Sequence, residues 1–245
     1  LRTGIQRRSC LGCSLEACDE GASSMVPCVI IPVLNRYDLM ERAIRSIDYP
    51  VENLIIIDNG DGYDADLLAW TAPWQHIQNW YLWRMPTNLG VAPSWNLGIK
   101  ATPHADGWIL LNSDAYFEPG QLEVFYKDCE PNNITLTTSG QPWSCAWVGA
   151  GVVERVGLFS ECYVPAYFED NDFEERSRRI NVEVKFCQAG IVHDNSSTIG
   201  SDASLAEKNT KSFQANQELH QLRWQTGMPD AGHWDLKRRR ELGWD

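Results

Sequence analysis

Apolar residues come in short dense runs from residue 26 onward, and the polar stretches between them carry apolar positions at helical spacing. Pro27–Val33, PCVIIPV, is rich in β-branched residues and too short for a helix, which predicts a strand. Asn35–Ile47 then places Leu39, Ala43, Ile44 and Ile47 on one helical face. NLIIIDNG (53–60) predicts a second strand, YDADLLAW (63–70) a short helix, and Trp80–Met85 a third strand. Val91–Ala101 predicts the helix leading into a fourth strand, WILLNSD (108–114). This alternation predicts an α/β fold, a mixed, mostly parallel sheet sandwiched by helices. The near-continuous apolar runs fit strands buried on both faces.

After Glu118 the period is less regular. ITLTTSG (134–140) predicts an edge strand, SCAWVGAGVVERVG (144–157) mixes small and β-branched residues, and VEVKFCQAGIVHD (182–194) predicts two short strands, the second reaching His193. Ser201–Trp224, polar with sparse apolar positions, predicts one long helix lying across the domain. Residues 1–24 lack such patterning and precede Met25, so they are expected to be a disordered leader. The expected organisation is therefore that leader, a domain over 25–200, and a helical extension over 201–245 packed on it.

Composition narrows the function. A net charge of -12 and a pI near 4.8 argue against a protein that wraps nucleic acid, since phosphate binding needs clustered Lys and Arg. The one dense basic run, Lys237–Arg240, reads as a solvated helix end. No apolar stretch approaches the roughly 20 residues that span a bilayer, and no signal-peptide core is present. A cytoplasmic protein without a membrane span is expected. The eight cysteines are scattered, several within apolar runs, as buried free thiols are. Cys10–Cys18, CLGCSLEAC, could be half a zinc site but has no second pair at ligand spacing.

Two predicted strands end in an aspartate, Asp58 and Asp114, at what would be the carboxyl edge of the sheet, where open α/β folds bind nucleotides. A third run, Tyr167–Arg176, adds the carboxylates that group transfer needs. Each signal has a structural alternative. Asp58-Asn59-Gly60 is also a turn sequence, and EDNDFEERSRR puts acids in the first turn of a helix and arginines later, as the macrodipole favours.

Seven motifs nevertheless fall in one order: PVLNR, IIIDNGD, NLGVAPSWNLGI, LLNSDAYF, WVGAGVV, YFEDNDFEER and VHD. In that order the chain resembles the family 2 glycosyltransferases of GT-A fold, over roughly Val26–Ile199 plus a stretch, Asn216–Gly227, like the Trp-containing C-terminal helix of some members. The resemblance implies an inverting transferase that uses a nucleoside-diphosphate sugar, commonly of UDP or dTDP, and a divalent cation, Mn²⁺ or Mg²⁺. By resemblance Pro32, Asn35, Arg36, Asp58 and Asn59 line the nucleoside cleft, and Asn88, Gly90 and Asn96 help hold the nucleotide sugar. Gly90 would let backbone approach a ligand, while Asn88 could equally be a helix N-cap. Asn112-Ser113-Asp114 stands at the family's Asp-x-Asp motif, with Asn at its first position. Asp114 is then the metal ligand, His193 completes the metal shell as in some relatives, and Glu169-Asp170 supply catalysis with Asp170 as general base.

A glycan or protein acceptor is expected, with Trp143, Trp147, Tyr163 and Tyr167 flanking its side of the site. Two other classes compete. A silent nucleotide-sugar binding scaffold would suit Asn112, whereas a nucleotidyltransferase usually has a Gly-rich phosphate loop, and PVLNRYD offers one Arg and no glycine.

Overall fold

The computed structural model describes residues 25–60, 62, 74–139, 141–194, 203–227 and 231–244. The expected leader, its Cys10–Cys18 run and the short helix at 63–70 lie outside the described residues.

Seven strands form one sheet in the order β3-β2-β1-β4-β7-β6-β8. Strand β1 (Val26–Val33) lies parallel to β2 (Val51–Asp58) on one side and β4 (Gly107–Leu111) on the other, and β2 lies parallel to β3 (Ile77–Arg84). The carboxyl ends of β1 and β2 coincide, Val33 opposite Asp58. Strand β7 (Cys145–Gly149) runs antiparallel between β4 and β6 (Asn133–Thr137), and β8 (Glu183–Cys187) returns parallel to β6. The expectation of an edge strand at ITLTTSG is therefore corrected: β6 is internal and all of it is buried, while β8 is the edge. Its threonines misled because they are buried with partners, Thr135 Oγ1 donating to the Asp128 carbonyl at 2.9 Å.

Alternate side chains of β1 enter opposite cores. Val29, Ile31 and Val33 pack with Met40 and Ile44 of helix α1 (Tyr37–Arg45) and with Phe125 of α3 (Gln121–Tyr126). Cys28 and Ile30 pack with Trp95 and Ile99 of α2 (Val91–Ala101), Val152 of α4 (Ala150–Val156) and Phe173 of α5 (Glu169–Arg179). Burial on both faces is what a parallel sheet between helical layers requires. The five described cysteines are unpaired, and four of them are buried.

A two-stranded ribbon, β5 (Ala115–Phe117) against β9 (Ile191–His193), stands beyond the carboxyl end of β4 and places Ala115 opposite His193. The C-terminal part consists of α6 (Ala203–Gln225) and α7 (Leu236–Leu242). From α6, Asn216 accepts from Val164 N–H at 3.3 Å and donates to the carbonyls of Val164 and Ala166 at 3.1 and 2.9 Å, buttressing the chain that enters α5. No described helix is long and apolar enough to cross a membrane.

The basic run at the start of α7 also needs correction. Lys237 is solvated, its side chain 87% exposed, but Arg239 is only 2% exposed. Its guanidinium lies over the Trp234 ring and donates to the carbonyls of Asn88, Leu89 and Trp244, so backbone oxygens and an aromatic face replace water.

Candidate active site

A cleft with a cavity volume of about 240 Å³ opens beyond the carboxyl ends of β1, β2 and β4. Ten of the residues expected at the site line it: Pro32, Asn59, Asn88, Gly90, Asn112, Ser113, Asp114, Glu169, Asp170 and His193. Asn35, Arg36, Asp58 and Asn96 are not among its lining residues.

The nucleoside end is a tightly bonded turn. Asp58, fully buried at the end of β2, accepts from the Tyr37 hydroxyl at 2.8 Å and from Gly60 N–H at 3.0 Å. Asn59 donates through Nδ2 to Ser94 Oγ at 2.9 Å and accepts at Oδ1 from Leu89 N–H at 2.9 Å, tying the β2 turn to the start of α2. Asn88 accepts from Gly90 N–H at 2.9 Å, a local turn bond made by a side chain that also lines the cleft. Gly90 has φ 95°, and a Cβ there would meet the Pro165 carbonyl oxygen at 2.5 Å, so only glycine fits. Asn96 faces elsewhere: it donates to the Phe159 carbonyl and Glu161 Oε1 at 2.9 and 2.8 Å and accepts from Phe159 N–H at 3.0 Å, holding that loop. Arg36, in the left-handed region at φ 52°, makes a two-pronged pair with Asp38 at 2.9 and 2.8 Å.

The β5–β9 ribbon brings Asp114 and His193 together, with His193 Nε2 3.1 Å from Asp114 Oδ1. Among the described residues no group of three His, Cys, Asp or Glu is placed to hold a metal by side chains alone. One carboxylate and one imidazole still fit a hard divalent cation, which commonly takes one or two carboxylates and fills its other positions with substrate phosphates and water. The donor set is thus suited to a cation shared with a diphosphate.

The carboxylate pair opens α5. Tyr167 and Phe168 immediately before it have φ of 77° and 75°, a left-handed conformation that non-glycine residues adopt at a cost of about 1–3 kcal/mol each. Phe213 and His220 of α6 pack against these rings, at 5.3 Å from Tyr167 to Phe213 and 5.4 Å from Phe168 to His220. This turn aims the first residues of α5 at the cleft. Glu169 is 5% exposed, and burial, with the Asp170 charge beside it, pushes its carboxyl well above the usual range. Asp170, half-buried, is also raised by burial, against the opposing pull of Asn171 N–H, which it accepts at 2.8 Å.

Of the aromatics expected on the acceptor side, Trp143 and Tyr167 line the cleft. Trp147 and Tyr163 are each 1% exposed: Trp147 donates to the Glu130 carbonyl in the core, and the Tyr163 hydroxyl donates to Asp172. The sequence reading missed Trp95, Ser144, Leu205, Asn209 and Trp244, which also line the cleft. Trp244 is set by Nε1 donating to Ser212 Oγ at 2.7 Å and by the Arg239 anchor. An arginine run between tryptophans was the available signal for this wall.

Comparison with known proteins agrees with this geometry. Residues 28–142 match the model of glycosyl transferase family 2. No curated protein matches the chain. The mannosyltransferase PcManGT from Pyrobaculum calidifontis, solved with GDP-Man and Mn²⁺, is similar at a TM-score of 0.54 and 15% identity over 75% of this chain and 59% of that one. GalNAc-T7, solved with UDP, GalNAc and Mn²⁺, gives 0.59 and 9% identity over 91% and 58%. TarS of S. aureus gives 0.51 and 13% identity over 68% and 35%. This chain therefore spans less than two thirds of the length of each of these proteins, and at such identities the likeness is one of fold, the GT-A fold. The family match runs from β1 through β6 and takes in the Asp114 turn, so residues 28–142, a little under half of the chain, are similar to glycosyl transferase family 2, on a GT-A fold.

Proposed function

We propose that the protein is an inverting glycosyltransferase that moves a sugar from a nucleoside-diphosphate sugar to an acceptor hydroxyl. Residues 25–200 form the transferase domain in this reading, with 201–245 a helical extension packed on it. The observation that carries it is the meeting in one cleft of the Asp114–His193 pair with the Glu169-Asp170 pair.

The nucleoside occupies the end bounded by Pro32 and Asn59. Asp58, holding the Tyr37 hydroxyl and Gly60 N–H, keeps that wall in shape. Asp114 and His193 hold a divalent cation, Mn²⁺ or Mg²⁺, which when bound supplies charge neutralisation for the departing diphosphate. Asp170 accepts the proton of the acceptor hydroxyl as that oxygen attacks the anomeric carbon. The bond to the diphosphate breaks on the opposite face, and the configuration inverts. A carboxylate with a raised pKa is a stronger base than an exposed one, which suits this role. UDP or dTDP is the expected carrier and a glycan or protein the acceptor, Trp143 and Tyr167 presenting aromatic faces to it.

The test is thermal stability against UDP, dTDP, GDP, CDP and ADP, with and without Mn²⁺, on wild type and Asp114→Ala. One nucleotide stabilising with metal, and failing to do so in the variant, supports the reading. Stabilisation by nucleotide sugar without turnover on any acceptor would instead favour a silent binding protein, the reading that Asn112 suits. No stabilisation by any of the five overturns the transferase.

A further inference from the structure

The turn that delivers Asp170 to the cleft holds Tyr167 and Phe168 at φ of 77° and 75°, a conformation that persists only where the surroundings impose it. Side chains of α6 do so. Phe213 lies against both rings, 5.3 Å from Tyr167 and 5.2 Å from Phe168, and Asn216 donates to the carbonyls of Val164 and Ala166. His220, one helical turn further on, rests on the Phe168 ring at 5.4 Å with a tilt of 35°. Of these three, only His220 belongs to a type that changes its charge between about pH 5 and 8.

Its hydrogen bonds decide which form fits. Trp224 Nε1 lies 3.2 Å from His220 Nδ1, and an indole N–H can only donate, so Nδ1 carries a lone pair and the ring is neutral with its proton on Nε2. Arg179 of α5 lies over the Trp224 ring at 4.1 Å and keeps that indole in place. The Tyr163 hydroxyl is also 3.2 Å from Nδ1, and it donates to Asp172 Oδ1 at 3.2 Å. Asp172 and Glu175 of α5 favour a cation at His220 and Arg223 of α6 opposes it, while Arg176 and Arg223 already share the Asp172 carboxylate. Burial is the largest influence, and it holds the imidazole below its usual range.

Protonation exchanges the partners. A proton on Nδ1 would face the Trp224 N–H and break that bond, whereas the Tyr163 oxygen, whose own proton is given to Asp172, is an acceptor within reach. A ring that swings from Trp224 to Tyr163 loses its tilt on Phe168. One proton therefore separates two arrangements of the joint between α6 and the turn.

We propose that His220 is a positioning residue for Asp170: as a neutral imidazole it clamps the Tyr167-Phe168 turn from α6, and its protonation releases that turn. Acid then silences transfer by moving the base as well as by protonating it. The proposal rests on the glycosyltransferase reading with Asp170 as base, and deepens it.

The test follows hydrogen exchange of the full chain at the Asp172 amide, which donates to the Phe168 carbonyl at 2.9 Å, with the Ile30 amide of the central sheet as control. After correction for the intrinsic rate, protection of Asp172 in wild type should fall about tenfold between about pH 8 and pH 5 while Ile30 is unchanged. His220→Phe keeps a ring on Phe168 and cannot titrate, so the fall should vanish. Trp224→Phe removes the indole donor and leaves a ring under Arg179, so the fall should move to higher pH. Either variant decides the matter if the other does not fold. Turnover is read as nucleoside diphosphate released from UDP-glucose, UDP-galactose and their dTDP counterparts with Mn²⁺ and water as acceptor. Its acid limb should steepen toward two protons in wild type, one from Asp170 and one from His220, and involve a single proton in His220→Phe. His220→Ala, which has no ring, should lower kcat about 10–100-fold at pH 8 with the donor KM within about twofold of wild type. No fall in Asp172 protection in wild type, the same fall in wild type and both variants, or a one-proton acid limb in every protein would overturn the clamp while leaving the transferase intact. The expected exchange in a protein that binds no nucleoside diphosphate would overturn the transferase and leave the clamp standing.

Discussion

Two acids in the first turn of α5 are equally hidden and oppositely treated. Asp172 is fully buried and accepts from Ser160 Oγ, from Tyr163 OH at 3.2 Å, from Arg176 Nε at 2.9 Å and from Arg223 Nε at 3.3 Å. Glu169, three positions earlier and 5% exposed, has an oxygen with no partner and lines the cleft. The first acid is the centre of a charge-compensated joint between the loop before α5, α5 itself and α6. The second keeps one buried oxygen unpaired in the wall of the cleft. Burial alone therefore does not separate a structural carboxylate from a functional one; the state of its hydrogen bonds does.

The largest expected effect lies on the satisfied side. Asp172→Ala would leave the buried guanidinium groups of Arg176 and Arg223, 3% and 7% exposed, without their counter-charge. Urea unfolding should show a loss of about 3–5 kcal/mol, the usual result of breaking a buried ion pair from one end. A loss below about 1 kcal/mol would mean that the joint is not what holds α6 to α5.

Asp170→Asn tests the open side through turnover. Removal of a general base should lower kcat by about 10²–10⁴-fold. Donor affinity should stay near wild type and the melting temperature should not fall, since the Asp170 carboxylate is raised by burial and its hydrogen bonds are to backbone N–H groups of its own turn. Near-normal turnover with the correct acceptor would remove Asp170 from the base role and leave α5 with a purely structural first turn.

Arg239→Ala sharpens the comparison with a third kind of group, a buried charge satisfied by backbone oxygens. It should cost about 1.5–3 kcal/mol, the range for hydrogen bonds to a charged donor. Because Arg239 holds Asn88, Leu89 and Trp244, nucleotide-sugar affinity should fall together with stability, read by calorimetry and thermal melting on one preparation. A stability loss with unchanged affinity would show that the Trp244 wall does not shape the donor site.

Much of the satisfied architecture was legible in the residues. The β-branched runs at 26–33 and 51–58 could bury both faces only inside a parallel sheet, and the motif order located Asp114, His193, Glu169 and Asp170 before any geometry was known. What was not legible depends on pairing across long separations. Asn96 looked like a sugar ligand until the Phe159 loop was seen to take all its bonds. β6 looked like an edge because its threonines are polar, although Thr135 finds its partner in the Asp128 carbonyl. Arg239 read as solvated because composition cannot reveal that the Trp234 ring and three carbonyls surround it.

The smallest expected effect is the most direct probe of the contrast between the two acids. Burial, then the neighbouring Asp170 charge, raises the Glu169 carboxyl well above its ordinary 4.5, so the folded protein keeps a proton there that the unfolded chain has released. The associated stability is fully present below pH 4.5 and declines as pH rises through the higher folded value. Glu169→Gln removes that titration while keeping the shape. Without ligand, the variant and wild type should melt alike near pH 4, and at pH 8 the variant should melt higher, by about 2–4 °C for each kcal/mol relieved in a chain of this size. Asp170, raised in the same direction, remains in both proteins and leaves the sign of the difference unchanged. A variant that melts lower than wild type at pH 8 would mean that the Glu169 carboxylate is satisfied in the folded protein, as that of Asp172 is, and both acids would then belong to the scaffold.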